Sequence, residues 1–258
     1  MLYMVEEKQS EIHLADQNDY LGSGIHIGTR TQSPGMKRFV YGVREDGLFR
    51  LDIKTIDSRI MLAAKMIAKY NPKEIVVTAS RLYAITPAER FSEIIGADFR
   101  KGRVNPGVFT NPKREDFTEP KLLIVSDSRN EKQAIKEASK INIPIIAISD
   151  TDNPTKFVDF IIPSNNRGRK SLAFIFYLLA RAVLIYRGDI KSDAEFSYGV
   201  DSFEAKMDDG RSAKPAPRRG ETQAQRPADH PSAQKRAEAP APQEEGAKKA
   251  EAAPAAEE

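Results

Sequence analysis

Three sets of residues have types and spacing that could do chemistry. Leu21-Gly22-Ser23-Gly24-Ile25-His26-Ile27-Gly28 places three glycines and a histidine within eight residues, a composition suited to a phosphate cradle or a general base. Asp127, Asp150 and Asp152 stand just past the apolar runs Leu122-Leu123-Ile124-Val125 and Ile145-Ile146-Ala147-Ile148. These are the carboxyl ends of expected strands, where α/β enzymes hold magnesium and phosphoryl groups. The third set is cationic: Arg30, Lys37 and Arg38; Arg100, Lys101, Arg103, Lys113 and Arg114; and Arg167, Arg169 and Lys170. Loops that mix Arg and Lys with free amides grip phosphates and sugars without any one regular groove element.

Each set has a blander reading. A dinucleotide fingerprint needs G-x-G-x-x-G directly after a strand, whereas Gly22, Gly24 and Gly28 are one residue too widely spaced and follow Asp16-Gln17-Asn18-Asp19. The stretch reads better as one short helical turn capped by Asp19 and ended by Gly24, with Gly28 allowing close backbone packing. His26 lies between Ile25 and Ile27 with no second ligand or nucleophile nearby, so a hydrogen-bonded core histidine is favoured over a catalytic one. Asp150-Thr151-Asp152-Asn153-Pro154 is rich in turn formers. For the cations, a solvated surface and a phosphate-gripping one account equally well.

The elements that must position these groups alternate strand and helix. Residues 39–44 and 48–51 flank Asp46-Gly47, a hairpin signal. Ile53, Ile56, Ile60, Ala63, Ala64 and Ile67 recur at helical spacing, and Asn71-Pro72 stops that run. Ile75–Ala79 predicts a buried strand, and Thr86-Pro87-Ala88-Glu89 predicts the start of a helix closed by Gly96. A long polar loop leads to the strand 122–125 and a helix from Glu131 to Ile141. Strands 145–148 and 158–162 follow, and then a helix from Lys170 to Tyr186 that is apolar nearly all round. Such alternation predicts an α/β fold in three layers with a mainly parallel sheet.

Composition bounds the rest. The 258 residues suit one sizeable domain with appendages, and the lack of cysteine excludes disulfides, thiolate nucleophiles and cysteine-ligated zinc. Acidic residues near Met1 and the lack of an apolar segment there predict a cytoplasmic protein. Of 40 basic and 37 acidic residues, 10 and 11 fall in Glu204–Glu258, leaving 30 and 26 ahead of it. Phe203 is the last aromatic residue, and the Pro, Ala, Glu and Lys-rich remainder predicts a disordered tail.

Four stretches in this order resemble one family: Tyr20–Thr29; Gly102–Pro112; Asp127-Ser128-Arg129-Asn130-Glu131 with Gln133–Ala138; and Asn142-Ile143-Pro144 leading to Asp150–Pro154 and Ile162-Pro163-Ser164-Asn165-Asn166. The chain resembles the universal small-subunit ribosomal protein family two, in its archaeal and eukaryotic branch, whose eukaryotic member is also called the laminin receptor. That resemblance implies a flavodoxin-like domain over residues 20–203, between an N-terminal extension (1–19) and the tail (204–258). It implies binding to ribosomal RNA near the head of the small subunit on its solvent side. Neighbouring ribosomal proteins are implied partners, with no enzymatic activity, cofactor, metal, membrane or small-molecule substrate. No room exists for the helical hairpin of bacterial relatives, and the tail lacks the aromatic-rich acidic character of the eukaryotic one. Two rivals stay open on the residues alone: an α/β enzyme using Asp127, Asp150 and Asp152, and an RNA-binding regulatory module outside the ribosome.

Overall fold

The computed structural model describes residues 14–205. They begin with a helix, α1 (Gln17–Ser23), and a hairpin of β1 (Val40–Val43) and β2 (Phe49–Leu51). Helices and strands then alternate: α2 (Ile53–Ile67), β3 (Ile75–Ala79), α3 (Leu82–Ile95), β4 (Asp98–Lys101), β5 (Leu122–Val125), α4 (Lys132–Lys140), β6 (Ile145–Ser149), β7 (Phe160–Pro163) and α5 (Arg169–Arg187). Every residue of β3, β5 and β6 is buried, as short apolar runs covered on both faces require.

These strands form one parallel five-stranded sheet in the order β4-β3-β5-β6-β7. The chain lays its second parallel strand outside the first and the remaining three on the other side, the order of flavodoxin-like folds. Alternate side chains separate two cores. Ile75, Val77, Leu122, Ile124, Ile146 and Ile148 pack with α2, α3 and α5, whereas Val76, Leu123, Val125, Ile145 and Ala147 pack with α4. Helix α5 is buried over most of its circumference and sits between α2 and α3, where its Phe176 ring lies 5.6 Å from that of Phe91. Among the described residues the second layer has one helix, and the 102–120 segment supplies the rest through Val104, Val108 and Phe109.

Three local expectations are corrected. The Thr86-Pro87-Ala88-Glu89 motif does not start a helix: α3 begins at Leu82 and Pro87 lies inside it. Asp16, rather than Asp19, occupies the N-cap position of α1, and its side chain makes no capping bond. The polar stretch after Gly96 contains β4, an edge strand pairing in parallel with β3. Gly24 and Gly96 take the left-handed conformation at helix ends as expected, with φ of 69° and 75°. At the domain ends, Leu14 donates its backbone N–H to Asp57 at 3.0 Å, Phe203 is fully buried and Ala205 nearly so. Most of the expected extension and nearly all of the expected tail, residues 1–13 and 206–258, lie outside the described residues.

The glycine-histidine stretch is a strap from the hairpin to the turns that follow β6 and β7. Leu51 and Gly28 donate backbone N–H groups to His26 and Phe49 carbonyls, at 2.8 Å each. Asn165 donates its own N–H to the Ile25 carbonyl at 2.9 Å. A Cβ added at Gly28 would stand 2.5 Å from Thr151 Cγ2 and 3.1 Å from the Phe49 carbonyl oxygen. Gly28→Ala is therefore expected to lower stability by roughly 1–3 kcal/mol, with partial recovery in the Gly28→Ala/Thr151→Ser double variant. Urea denaturation checks both, and a fully stable Gly28→Ala would contradict the strap.

Candidate nucleic-acid interface

The connections that follow β3 and β5 leave for opposite faces of the sheet where the strand order reverses, and in open α/β sheets the crevice between them is the usual ligand site. Here the chain fills it with its own carboxylate. Glu131, immediately before α4 and 3% exposed, accepts hydrogen bonds from Thr78 Oγ1 (2.7 Å), the Ser80 N–H (2.9 Å), Ser80 Oγ (3.1 Å), Ser126 Oγ (2.8 Å) and the Ser126 N–H (3.2 Å). Burial pushes its carboxyl up to about 7 against these donors, which favour the ionised form. Beside it, Arg81 Nε donates to Asp127 Oδ2 at 2.6 Å, closing the crevice from the α3 side.

The three aspartates expected at strand ends do converge there, and each is engaged with arginine. Asp127 also accepts from the Arg129 N–H (2.9 Å) and from Asn153 Nδ2 (3.0 Å). Asp152 pairs with Arg129 at 2.9 Å and accepts from Arg167 Nη2, while Arg167 Nε lies 3.7 Å from Asp150. Burial pushes the Asp150 carboxyl up to about 6; the Thr151 N–H and the Arg167 charge oppose the rise, and the neighbouring Asp152 charge adds to it. Asn166, fully buried, reaches the Ser126 and Ile148 carbonyls and ties the ends of β5, β6 and β7 together. Three carboxylates thus meet three guanidinium groups, and no group of acidic or histidine side chains suited to a metal exists among the described residues.

The expected cations divide by their partners. Arg167 joins the aspartate cluster, Arg100 pairs with Asp98 at 3.0 Å and donates to Thr118, Arg114 grips Asp116 through two bonds of 2.7 and 2.9 Å, and Arg169 pairs with Glu204 at 2.8 Å. Arg30, Lys37, Arg38, Lys101, Arg103, Lys113 and Lys170 are exposed and form no ion pair among the described residues. Their backbone is held. Thr29 bonds to Thr151 beside Arg30, and Gly102 donates to the Ala79 carbonyl at 2.8 Å between Lys101 and Arg103. Buried Glu137 accepts the Gly107 and Phe109 N–H groups, at 2.8 and 3.2 Å, and so pins the loop that carries Lys113.

Two arginines of the cluster, Arg81 and Arg129, were not among the expected site residues. Their signal was position: each follows an apolar strand by two to four residues, where a guanidinium reaches the neighbouring strand end. His26 is buried as expected; burial lowers its pKa and a hydrogen bond with the Tyr20 backbone opposes that, while its buried Nδ1 has no hydrogen-bond partner among the described residues.

The sequence pattern of the family described as Ribosomal protein S2 matches residues 113–185. The chain is 47% identical over 194 residues to the small ribosomal subunit protein uS2 of Thermoplasma acidophilum, a match covering 75% of this chain and 98% of the relative. It is 46% identical to that of Saccharolobus solfataricus over 194 residues, with 75% and 84% covered. Against that of Thermofilum pendens it is 50% identical over 188 residues, with 73% and 88% covered.

Each Glu131 oxygen faces one backbone N–H, so an amide in either orientation sets an NH2 against a donor. Glu131→Gln is expected to cost about 1–3 kcal/mol. The wild-type carboxyl titrates near 7 folded and near 4.5 unfolded. Its contribution is therefore intact below pH 4.5 and is lost as the pH rises to 7, by roughly 3 kcal/mol. Urea denaturation across that window should show a flatter profile for Glu131→Gln, and an unchanged slope and stability would contradict the assigned role.

Proposed function

The chain belongs to the uS2 family of small-subunit ribosomal proteins, and from that premise we propose that its exposed rim and loop cations hold it to ribosomal RNA in the small subunit. It is a structural protein of the ribosome and not an enzyme. The observation that supports the mode of binding is the contrast at the sheet's carboxyl edge. Glu131 occupies the crevice and arginines balance the buried aspartates, whereas Arg30, Lys101, Arg103 and Lys170 have no in-chain carboxylate among the described residues. Unbalanced exposed cations release counterions when they meet phosphates, and that release drives binding.

The paired arginines Arg100, Arg114, Arg167 and Arg169 then act as braces with N–H groups to spare, since a guanidinium has five donors. We place the protein near the head of the subunit on its solvent side, beside neighbouring ribosomal proteins, where it supports subunit assembly and translation in the cytoplasm. The domain ends near Phe203, and the residues beyond it add little to RNA affinity because their two charge blocks nearly cancel.

Replacing Arg30, Lys101, Arg103 and Lys170 with Ser in the full-length chain should shallow the logarithmic salt dependence of ribosomal RNA affinity by about 0.7–0.9 for each phosphate that is no longer neutralised. It should also deplete the protein from the small-subunit peak on sedimentation of lysate. Truncation after Ala205 should change both less. Circular dichroism confirms that both variants fold, and a normal distribution of the cation variant beside a depleted truncation would contradict the assignment.

A further inference from the structure

The hairpin carries a feature that neither the rim nor the core uses. Val40 pairs with Leu51 and Gly42 with Arg50, which leaves Tyr41 as the extra residue of a bulge. Bulges re-aim side chains and recur beside binding sites. The Tyr41 ring is 76% exposed, more than hydrophobic packing would allow for a strand aromatic. It borders a cleft of ≈ 500 Å³ whose deep residues include Tyr20, His26 and Leu51, and whose outer residues include Arg50 and Lys54.

We propose that this cleft takes one unpaired RNA nucleotide, its base stacked on the Tyr41 ring and its phosphate against the Arg50 guanidinium. The proposal rests on the reading of the chain as bound to ribosomal RNA, and it adds a site for a single nucleotide at the hairpin. Charge favours that occupant. Among the described residues Asp52 is the only carboxylate lining the cleft, and it is committed to the first turn of α2, accepting from the Lys54 and Thr55 N–H groups and from Thr55 Oγ1 at 2.6 Å. Arg50 is exposed and forms no ion pair among the described residues. The field of Arg50 and Arg44 reaches His26, adding to burial in lowering its pKa.

His26, 9% exposed, helps floor the cleft with its Nδ1 buried out of reach of solvent, so the base is held by stacking and not by its edge. Aromatic faces stack any base, and a flanking cation follows the backbone. A duplex buries its base faces and cannot enter.

The test uses the full-length chain, with fluorescence anisotropy against a labelled single-stranded uridine hexamer and an RNA duplex of the same length. Tyr41→Ala should weaken hexamer binding by about tenfold, while Tyr41→Phe keeps the platform and the affinity. Irradiation of purified small subunits should cross-link Tyr41 to ribosomal RNA. Hexamer affinity unchanged by Tyr41→Ala, equal binding of the duplex, or a cross-link from Tyr41 to another protein would each overturn the proposal. If hexamer binding ignores Tyr41 while the Lys101→Ser/Arg103→Ser pair still shallows the salt slope for ribosomal RNA, this site fails alone. If neither responds, the RNA-bound reading fails with it.

Discussion

One buried carboxylate organises the carboxyl edge of the sheet. Glu131 collects donors from β3, from the turn after it and from the turn after β5, so the two connections that part at the order reversal are joined by a side chain. An ionisable group is costly to bury, and this one is tolerated because every nearby donor points at it. The same geometry in a cofactor-binding relative of the fold would have to be open. Here it is a closed joint, and α4 and α3 leave the sheet from either side of it.

Closing the crevice moves function outward. The strap ahead of β1, the end of β4 with the loop past it, and the turn from β7 into α5 carry the cations, and each is fixed by a polar anchor rather than by hydrophobic packing alone. Glu137 anchors the 102–120 segment, Thr151 anchors the strap that bears Arg30, and Asn165 and Asn166 anchor the turn ahead of Arg167 and Lys170. A loop whose backbone is already ordered loses little entropy when it meets RNA. Buried aspartates likewise hold Arg81, Arg129 and Arg167 in place, so the acidic cluster that suggests metal chemistry in the sequence is the counter-charge of an arginine array.

Much of this was legible before any coordinates. The order of apolar runs defines the parallel sheet and its layers, and Asp46-Gly47, Gly24 and Gly96 mark turns that the chain makes. What was hidden depends on tertiary partners. Thr86-Pro87-Ala88-Glu89 has the local form of a helix start, but Arg81 is drawn to Asp127 and starts α3 at Leu82, one residue later, leaving Pro87 to be absorbed inside. Asp98, Arg100 and Lys101 read as loop because an edge strand is protected by charge. The cations themselves were visible. Which of them spend their charge inside the chain was less so: Arg100 and Arg114 pair with Asp98 and Asp116 two residues away, but Arg167 and Arg169 find Asp152 and Glu204 only once the chain is folded.

If exposed, unbalanced cations at the rim carry the attachment to ribosomal RNA, their reactivity must change on assembly. The most direct measurement is chemical footprinting by mass spectrometry, comparing lysine acetylation and arginine modification in purified small subunits with the free protein. Strong protection of Lys101, Arg103, Arg30 and Lys170 is the expected result. Reactivity at these four residues equal to that of the free protein, with protection confined to the residues beyond Ala205, would contradict it.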